Sequence, residues 1–176
     1  LDALTHMLDG GKARTLQRRR LLAAVEAEGD LFRNRDDIFL DRVGQYRKAL
    51  ARARRLKEMQ AELGLEEDEV GWQTLKLCAA FDDPTTLHEL MFVPNIKALC
   101  SESQQPYWLQ LCKDWRVVGC YAQTEVGHGS NVRALETTAT YLPAPIDAFE
   151  IHTPTVTATK FWPGSMGRTA NTAMVI

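Results

Sequence analysis

The sequence has no excess of charge of either sign: 21 Lys and Arg stand against 23 Asp and Glu, a formal net charge of -2. Such a balance gives no electrostatic reason to bind nucleic acid or an acidic membrane surface. No apolar run approaches the roughly 20 residues that a helix needs to cross a bilayer. Cysteine is scarce and unpaired. Cys78, Cys100, Cys112 and Cys120 form no CxxC step, so neither a zinc ribbon nor a disulfide framework is indicated. Free buried thiols in a reducing or neutral compartment are expected instead. His6, His88 and His152 are scattered singly, and His128 lies between two glycines with no second ligand nearby, so no metal is expected. There is no internal repeat or low-complexity tract. The sequence given opens on Leu1 without a secretory-signal pattern, and Arg18-Arg19-Arg20 has acidic neighbours in Glu26, Glu28 and Asp30 that a transit peptide lacks.

What is present is ordinary for a globular protein: 176 residues, 45% hydrophobic and 25% charged, enough for one domain or one and part of a second. Residues 1–114 read as helical. Leu1–Leu8 is stopped by Asp9-Gly10-Gly11, and Lys12–Glu28 follows with Leu16, Leu21, Leu22 and Val25 as its apolar positions. The longest helix is expected from about Asp36 to Leu63. Asp36 or Asp37 would cap it, Gly64 would end it, and Phe39, Val43, Tyr46, Leu50 and Ala53 would form its core stripe. Its many Arg and Lys residues carry no aromatic interleaving, so a charged outer face is expected rather than a nucleic-acid surface. Glu66–Ala80 has an acidic first turn, and Pro84 suits the start of the next helix, which Pro94 should kink or break. Gln105–Trp115 closes the helical region.

After Trp115 the period changes from helical to alternating. Arg116–Gln123, Glu136–Tyr141, Asp147–Ile151, Thr155–Trp162 and Thr172–Ile176 favour strand, with Pro143, Pro145 and Pro154 in the connections. Helices first and strands second predict an α+β chain, with an α-helical domain over 1–115 and the start of a β domain over 116–176. A sheet that ended at Ile176 would expose an unpaired edge, so the β domain reads as incomplete.

The chain is organised around Cys120-Tyr121-Ala122-Gln123-Thr124-Glu125-Val126-Gly127-His128-Gly129-Ser130-Asn131, answered by Lys160-Phe161-Trp162-Pro163-Gly164. The first reads as a strand running into a glycine loop, where unusual φ values or the close approach of a flat or anionic group are expected. Thr124 stands just before that loop, placing a hydroxyl and neighbouring N–H groups toward a ligand. The second stretch ends a strand with a large aromatic at Trp162. Two such loops at neighbouring strand ends would make one wall of a cofactor site.

Those stretches resemble the acyl-CoA oxidases of peroxisomal type, within the acyl-CoA dehydrogenase superfamily. The resemblance is carried by Tyr121-Ala122-Gln123-Thr124-Glu125-Val126-Gly127-His128-Gly129, by Leu135–Tyr141, by Lys160–Gly164 and by Gly167-Arg168-Thr169. Leu4–Gly10, Arg18-Arg19-Arg20 and Met91-Phe92-Val93-Pro94 extend it toward the N-terminus. Simple dehydrogenases of the superfamily usually carry Thr-Glu-Pro-Gly-Ala-Gly and Lys-x-Trp-Ile-Thr-Asn at these places, and His128 with Pro163-Gly164 resembles the oxidase branch instead.

The resemblance implies an N-terminal all-α domain followed by the first part of an antiparallel, β-barrel-like middle domain, truncated relative to the family. It implies FAD as cofactor, a fatty acyl-CoA as substrate and O2 as the second reactant, with a trans-2-enoyl-CoA and H2O2 as products. It also implies a homodimer at full length and a peroxisomal location. By the same resemblance Thr124 would hydrogen-bond the flavin, helped by backbone groups of Gln123 and Glu125. Trp162 would pack on the ring, and Gly164 would offer its N–H where a side chain would not fit. Ser130 and Asn131 would contact the substrate. Glu125 and Glu136 are acidic and near the site, but the family's base comes from a C-terminal helical domain, so no catalytic residue is expected within these 176 residues. The alternative is a short relative that keeps this fragment as a non-catalytic binding or structural subunit.

Overall fold

The structure, a computed structural model, describes residues 2–176. The chain divides into two compact units, Leu1–Pro84 and Thr85–Ile176.

The first unit is helical: α1 (Asp2–Leu8), α2 (Lys12–Ala27), α3 (Arg42–Glu62) and α4 (Glu69–Ala79). Its core gathers Leu21 and Val25 of α2, Leu56 and Met59 of α3, and Trp72 and Leu75 of α4. Side chains three to four positions apart on each helix share one face, which is why these pairs meet. The start of α3 differs from the sequence expectation. Asp41, not Asp36 or Asp37, is its N-cap, with Oδ1 accepting the Gly44 N–H at 2.7 Å. Phe39 therefore lies outside the helix in a 3-10 turn (Asp37–Phe39) and is 80% exposed, and Val43 is exposed as well. Of the expected stripe only Ala53 is buried, and the inward face is Arg52, Ala53, Leu56, Met59 and Gln60. We expect Asp41→Ala to cost about 1 kcal/mol of unfolding free energy, the usual worth of such a cap, read from thermal or urea denaturation.

The end of α3 falls where expected. Gly64 adopts φ 68°, its N–H reaches the Ala61 carbonyl at 3.1 Å, and the Leu65 N–H reaches that of Gln60 at 2.8 Å, closing a Schellman motif. Asp68 caps α4 by accepting the Gly71 N–H at 2.9 Å, so Glu66 and Glu67 precede the helix instead of opening it. The basic residues of α3 are engaged within the unit. Arg55 pairs with Glu28 and Glu62 at 2.7 Å each, and Arg54 pairs with Glu58 at 3.1 Å. Arg52 is only 3% exposed and is met by the Asp37 carboxylate and by the carbonyls of Leu31 and Arg33 at 2.6 and 3.0 Å. A buried guanidinium needs such a set of acceptors to offset its desolvation.

In the second unit a π-helix (His88–Phe92) runs directly into α5 (Val93–Leu99), and α6 (Gln105–Lys113) follows. Pro94 neither breaks nor ends the helical path. It sits in the first turn of α5, where its missing N–H costs least, at the change from π to α hydrogen bonding. Phe92, Ile96, Cys112 and Val117 form the core of this unit. Strand β1 (Gly119–Ala122) pairs in parallel with β4 (Thr172–Val175), Gly119 opposite Thr172. Strands β2 (Thr138–Leu142) and β3 (Ala148–His152) form a separate antiparallel hairpin that is mostly exposed. The change from helix to strand after α6 lies inside this unit, while the compact units divide at Pro84.

The expected strand Thr155–Trp162 is not formed; the segment is a series of turns with one isolated bridge, Lys160 to Glu125. Its threonines explain why. The Thr155 hydroxyl accepts the Ala158 N–H at 3.0 Å and also bonds the Glu136 carboxylate, and the Thr157 hydroxyl donates to Glu136 at 2.8 Å. Local side-chain bonds of this kind compete with a ladder. All four cysteines are free thiols, and burial pushes the Cys112 thiol up to about 11. No helix among the described residues is long and apolar enough to cross a membrane.

Candidate functional site

Strand β1 delivers Gln123, Thr124 and Glu125 to its C-terminal end, and residues 157–163 run alongside them. The Tyr121 N–H donates to the Pro163 carbonyl at 3.2 Å, the Phe161 N–H to that of Thr124 at 2.9 Å, and the Val126 N–H to that of Thr159 at 2.9 Å. The stretches that carry Thr124 and Trp162 are thus brought side by side from distant parts of the sequence. Thr124 is half-buried, and neither its hydroxyl nor its N–H bonds another described residue. The Gly164 N–H makes no such bond either.

Trp162 is 72% exposed and adopts φ 41°, a left-handed conformation that is uncommon for a bulky residue. Strain of this kind costs of order 1–3 kcal/mol and concentrates at functional sites. Gly164 follows at φ 75°, and a Cβ there would run into the Leu87 side chain. The exclusion of a side chain at Gly164 therefore has a packing cause as well as a conformational one. Gly127 and Gly129 do not take the unusual φ expected of them. Gly127 is needed because the Thr157 side chain would lie 2.8 Å from a Cβ, and Gly129 faces open space.

Ser130 and Asn131 are exposed at the far end of the same loop. Their carbonyls accept the N–H groups of Val132 and Ala134 at 3.0 Å each, and their side chains bond no other described residue.

The sequence expectation placed only the backbone of Glu125 at the site, yet its side chain is the most connected in this region. It is 1% exposed. Oε1 accepts from the Thr137 N–H at 2.9 Å, the Thr137 hydroxyl at 2.7 Å and Lys160 Nζ at 3.1 Å. Oε2 accepts from the Glu136 N–H at 2.9 Å and lies 3.0 Å from His128 Nδ1, which must carry its hydrogen toward the carboxylate. Burial by itself raises the pKa of this group, but the amides of Glu136 and Thr137, the Thr137 hydroxyl and Lys160 outweigh it and hold the carboxyl well below the usual range. The stability this contributes is complete above the ordinary carboxylate pKa and is lost only as the pH falls far below it. A carboxylate so occupied is no proton acceptor. Glu136 is likewise lowered, chiefly by the hydroxyls of Thr155 and Thr157. Its Oε1 lies 3.5 Å from His128 Nε2, so the imidazole stands between two carboxylates. Nothing in the spacing of Glu125, Thr137 and Lys160 announces this cluster, because its members come from three separate loops.

Hydroxyl and amide donors stand on one strand end, with an exposed aromatic plane on the adjacent segment. That arrangement suits a flat heteroaromatic ring bearing hydrogen-bond acceptors. A groove of about 750 Å³ belongs to the first unit, between residues such as Asp37, Gln45, Lys76 and Phe81, and none of the loop residues line it.

Residues 1–118 match the family described as acyl-coenzyme A oxidase N-terminal. Peroxisomal acyl-coenzyme A oxidase 1 of Cavia porcellus is 36% identical over 99% of this chain and 26% of its own length. The protein of the same name from Arabidopsis thaliana is 42% identical over 88% of this chain and 23% of its own. Among solved structures, an acyl-CoA oxidase from tomato superposes with a TM-score of 0.90 at 35% identity, covering 99% of this chain and 26% of that one. Acyl-CoA oxidase-2 of Caenorhabditis elegans, solved bound with FAD, ascaroside-CoA and ATP, gives 0.86 at 32% identity with the same coverage. The chain spans about a quarter of the length of the curated relatives it matches.

Proposed function

The chain belongs to the acyl-coenzyme A oxidase family, and from that premise we propose that it supplies part of the flavin site of a FAD-dependent fatty acyl-CoA oxidase. In this reading residues 1–115 are the N-terminal helical domain and 116–176 the opening of the middle β domain. The observation that carries it is the pairing of Thr124 with Phe161 through the Phe161 N–H, which brings the segment bearing an exposed Trp162 alongside the strand end whose Thr124 hydroxyl is unspent. FAD fits this residue set, since the donors of Thr124 and Gly164 are unspent and Trp162 offers a flat face. Bound FAD would supply hydride acceptance from the acyl β-carbon, with O2 as the final oxidant.

Within that chemistry the hydroxyl and N–H of Thr124, with the backbone of Gln123, would orient the ring and meet charge where it develops, whereas the Glu125 N–H expected to help is spent on the His128 carbonyl at 3.2 Å. Trp162 covers one face and excludes water, and the Gly164 N–H donates to the cofactor. Ser130 and Asn131 are the contacts proposed for the thioester or pantetheine end of the acyl-CoA. The base that removes the α proton comes from outside these residues, since Glu125 and Glu136 are both engaged by donors. The reading extends to fatty acid β-oxidation in the peroxisome, to a homodimer at full length, and to no role for nucleic acid or a membrane span.

Thr124→Ala in the full-length enzyme tests it. Losing one donor to the ring should weaken FAD binding or slow anaerobic flavin reduction by acyl-CoA about tenfold, the worth of a single hydrogen bond. Unchanged flavin content together with an unchanged reduction rate would remove Thr124 from the site.

A further inference from the structure

Glu125 is buried one residue beyond Thr124, and the geometry points to a function for it that is separate from proton transfer. We propose that Glu125 is a positioning residue that sets Trp162 against Thr124, an inference that rests on the flavin reading above. A buried carboxylate is retained at a cost unless its charge is fully met, and here each oxygen is met by donors from different segments. Lys160, two residues before Trp162, reaches Glu125 Oε1 and the Gln123 carbonyl, each at 3.1 Å, so one ammonium ties the Trp162 segment to both neighbours of Thr124. The Glu136 and Thr137 amides and the Thr137 hydroxyl also hold the carboxylate, and His128 Nδ1 of the loop that follows lies 3.0 Å from Oε2.

The consequence is specific to orientation. Trp162 holds a left-handed backbone that the chain would leave if its anchor were loosened. The Lys160 to Glu125 link is a buried side-chain anchor for that segment, added to the backbone bonds of the Phe161 N–H to Thr124 and the Tyr121 N–H to Pro163. A glutamine at 125 keeps the shape but presents an NH2 to a donor on one side and loses the charge opposite Lys160. The segment should then shift relative to Thr124 even where the fold persists.

The test uses the full-length flavoprotein carrying Glu125→Gln. FAD should dissociate at least about tenfold more readily, since small misplacements of a positioned group carry effects of that size or more. The flavin that stays bound should lose part of the emission quenching caused by Trp162 and show a less structured visible band. A residue important only for folding would lower the melting temperature and leave the spectrum of bound flavin unchanged. If Glu125→Gln does not fold, Lys160→Met removes the same link while leaving the carboxylate its other donors, and the same spectral change is expected. A wild-type spectrum and wild-type FAD affinity in Glu125→Gln, or in Lys160→Met where that variant must stand in, overturns the inference alone. Wild-type protein that neither contains nor takes up FAD overturns the flavin reading, and this inference with it.

Discussion

Alanine at Gly119 should destabilise the second unit by about 3 kcal/mol, the upper end of the usual cost of overpacking a filled core. A Cβ at Gly119 would be driven into the Phe92 ring, meeting Cγ and both Cδ atoms. The ring has nowhere to go. Phe92 is buried, stacks on His88 with centroids 5.8 Å apart, and packs with Ile96, Cys112 and Val117. The backbone is held as firmly. The Gly119 N–H donates to His88 Nδ1 at 3.0 Å, and the residue is paired with Thr172 in the β1–β4 ladder. The strain must therefore appear as lost stability, measured as a lower midpoint in urea or heat. A double-mutant cycle sharpens the test: Phe92→Ala makes room, so Gly119→Ala in that background should cost markedly less than in the wild type. A change within about 0.5 kcal/mol in the wild-type background, the range of an ordinary surface substitution, would mean that β1 yields without penalty. Because β1 leads directly to Thr124, the variant should also lower flavin content in the full-length enzyme.

Which parts of this fold are legible in the sequence depends on how local the cause is. The helix stops at Gly10-Gly11 and Gly64 are read correctly because a left-handed glycine terminates a helix by itself. The start of α3 is misread because Asp36, Asp37 and Asp41 are all suitable caps, and packing decides between them. Asp37 is taken by Lys48 and Arg52, leaving Asp41 to cap. Threonine-rich, β-branched residues predict a strand over 155–162, but their hydroxyls find the Glu136 carboxylate, which lies far off in sequence. The site follows the same rule. Thr124 and Trp162 become candidates from the sequence because their motifs resemble a family, whereas the Glu125 cluster needs partners that only the folded chain brings together. Glu125 reads as a backbone contact and an acidic neighbour of the site, and the part played by its side chain emerges only once its burial is known.

Trp162→Ala should weaken FAD binding in the full-length enzyme by on the order of 3–5 kcal/mol if the ring is fully covered there, as for other buried Trp truncations. At 1.4 kcal/mol per decade that is at least two orders of magnitude in Kd. The sign of the accompanying stability change separates this role from ordinary packing. Among the described residues Trp162 is 72% exposed, with Phe161 as its aromatic neighbour at 5.3 Å, so its removal takes little from the core. Its backbone at φ 41° is unfavourable for any side chain with a Cβ. Trp162→Gly should therefore relieve strain of about 1 kcal/mol and raise the apoprotein melting temperature slightly while abolishing tight FAD binding. Trp162→Phe should keep the strain and recover part of the affinity, because a smaller flat ring remains. A core tryptophan would behave in the opposite way: glycine would lower the melting temperature steeply, and flavin affinity would fall only as the fold was lost. If Trp162→Gly lowers the apoprotein melting temperature and leaves FAD affinity unchanged, the residue is packing, and the cofactor wall must be sought elsewhere on this strand end.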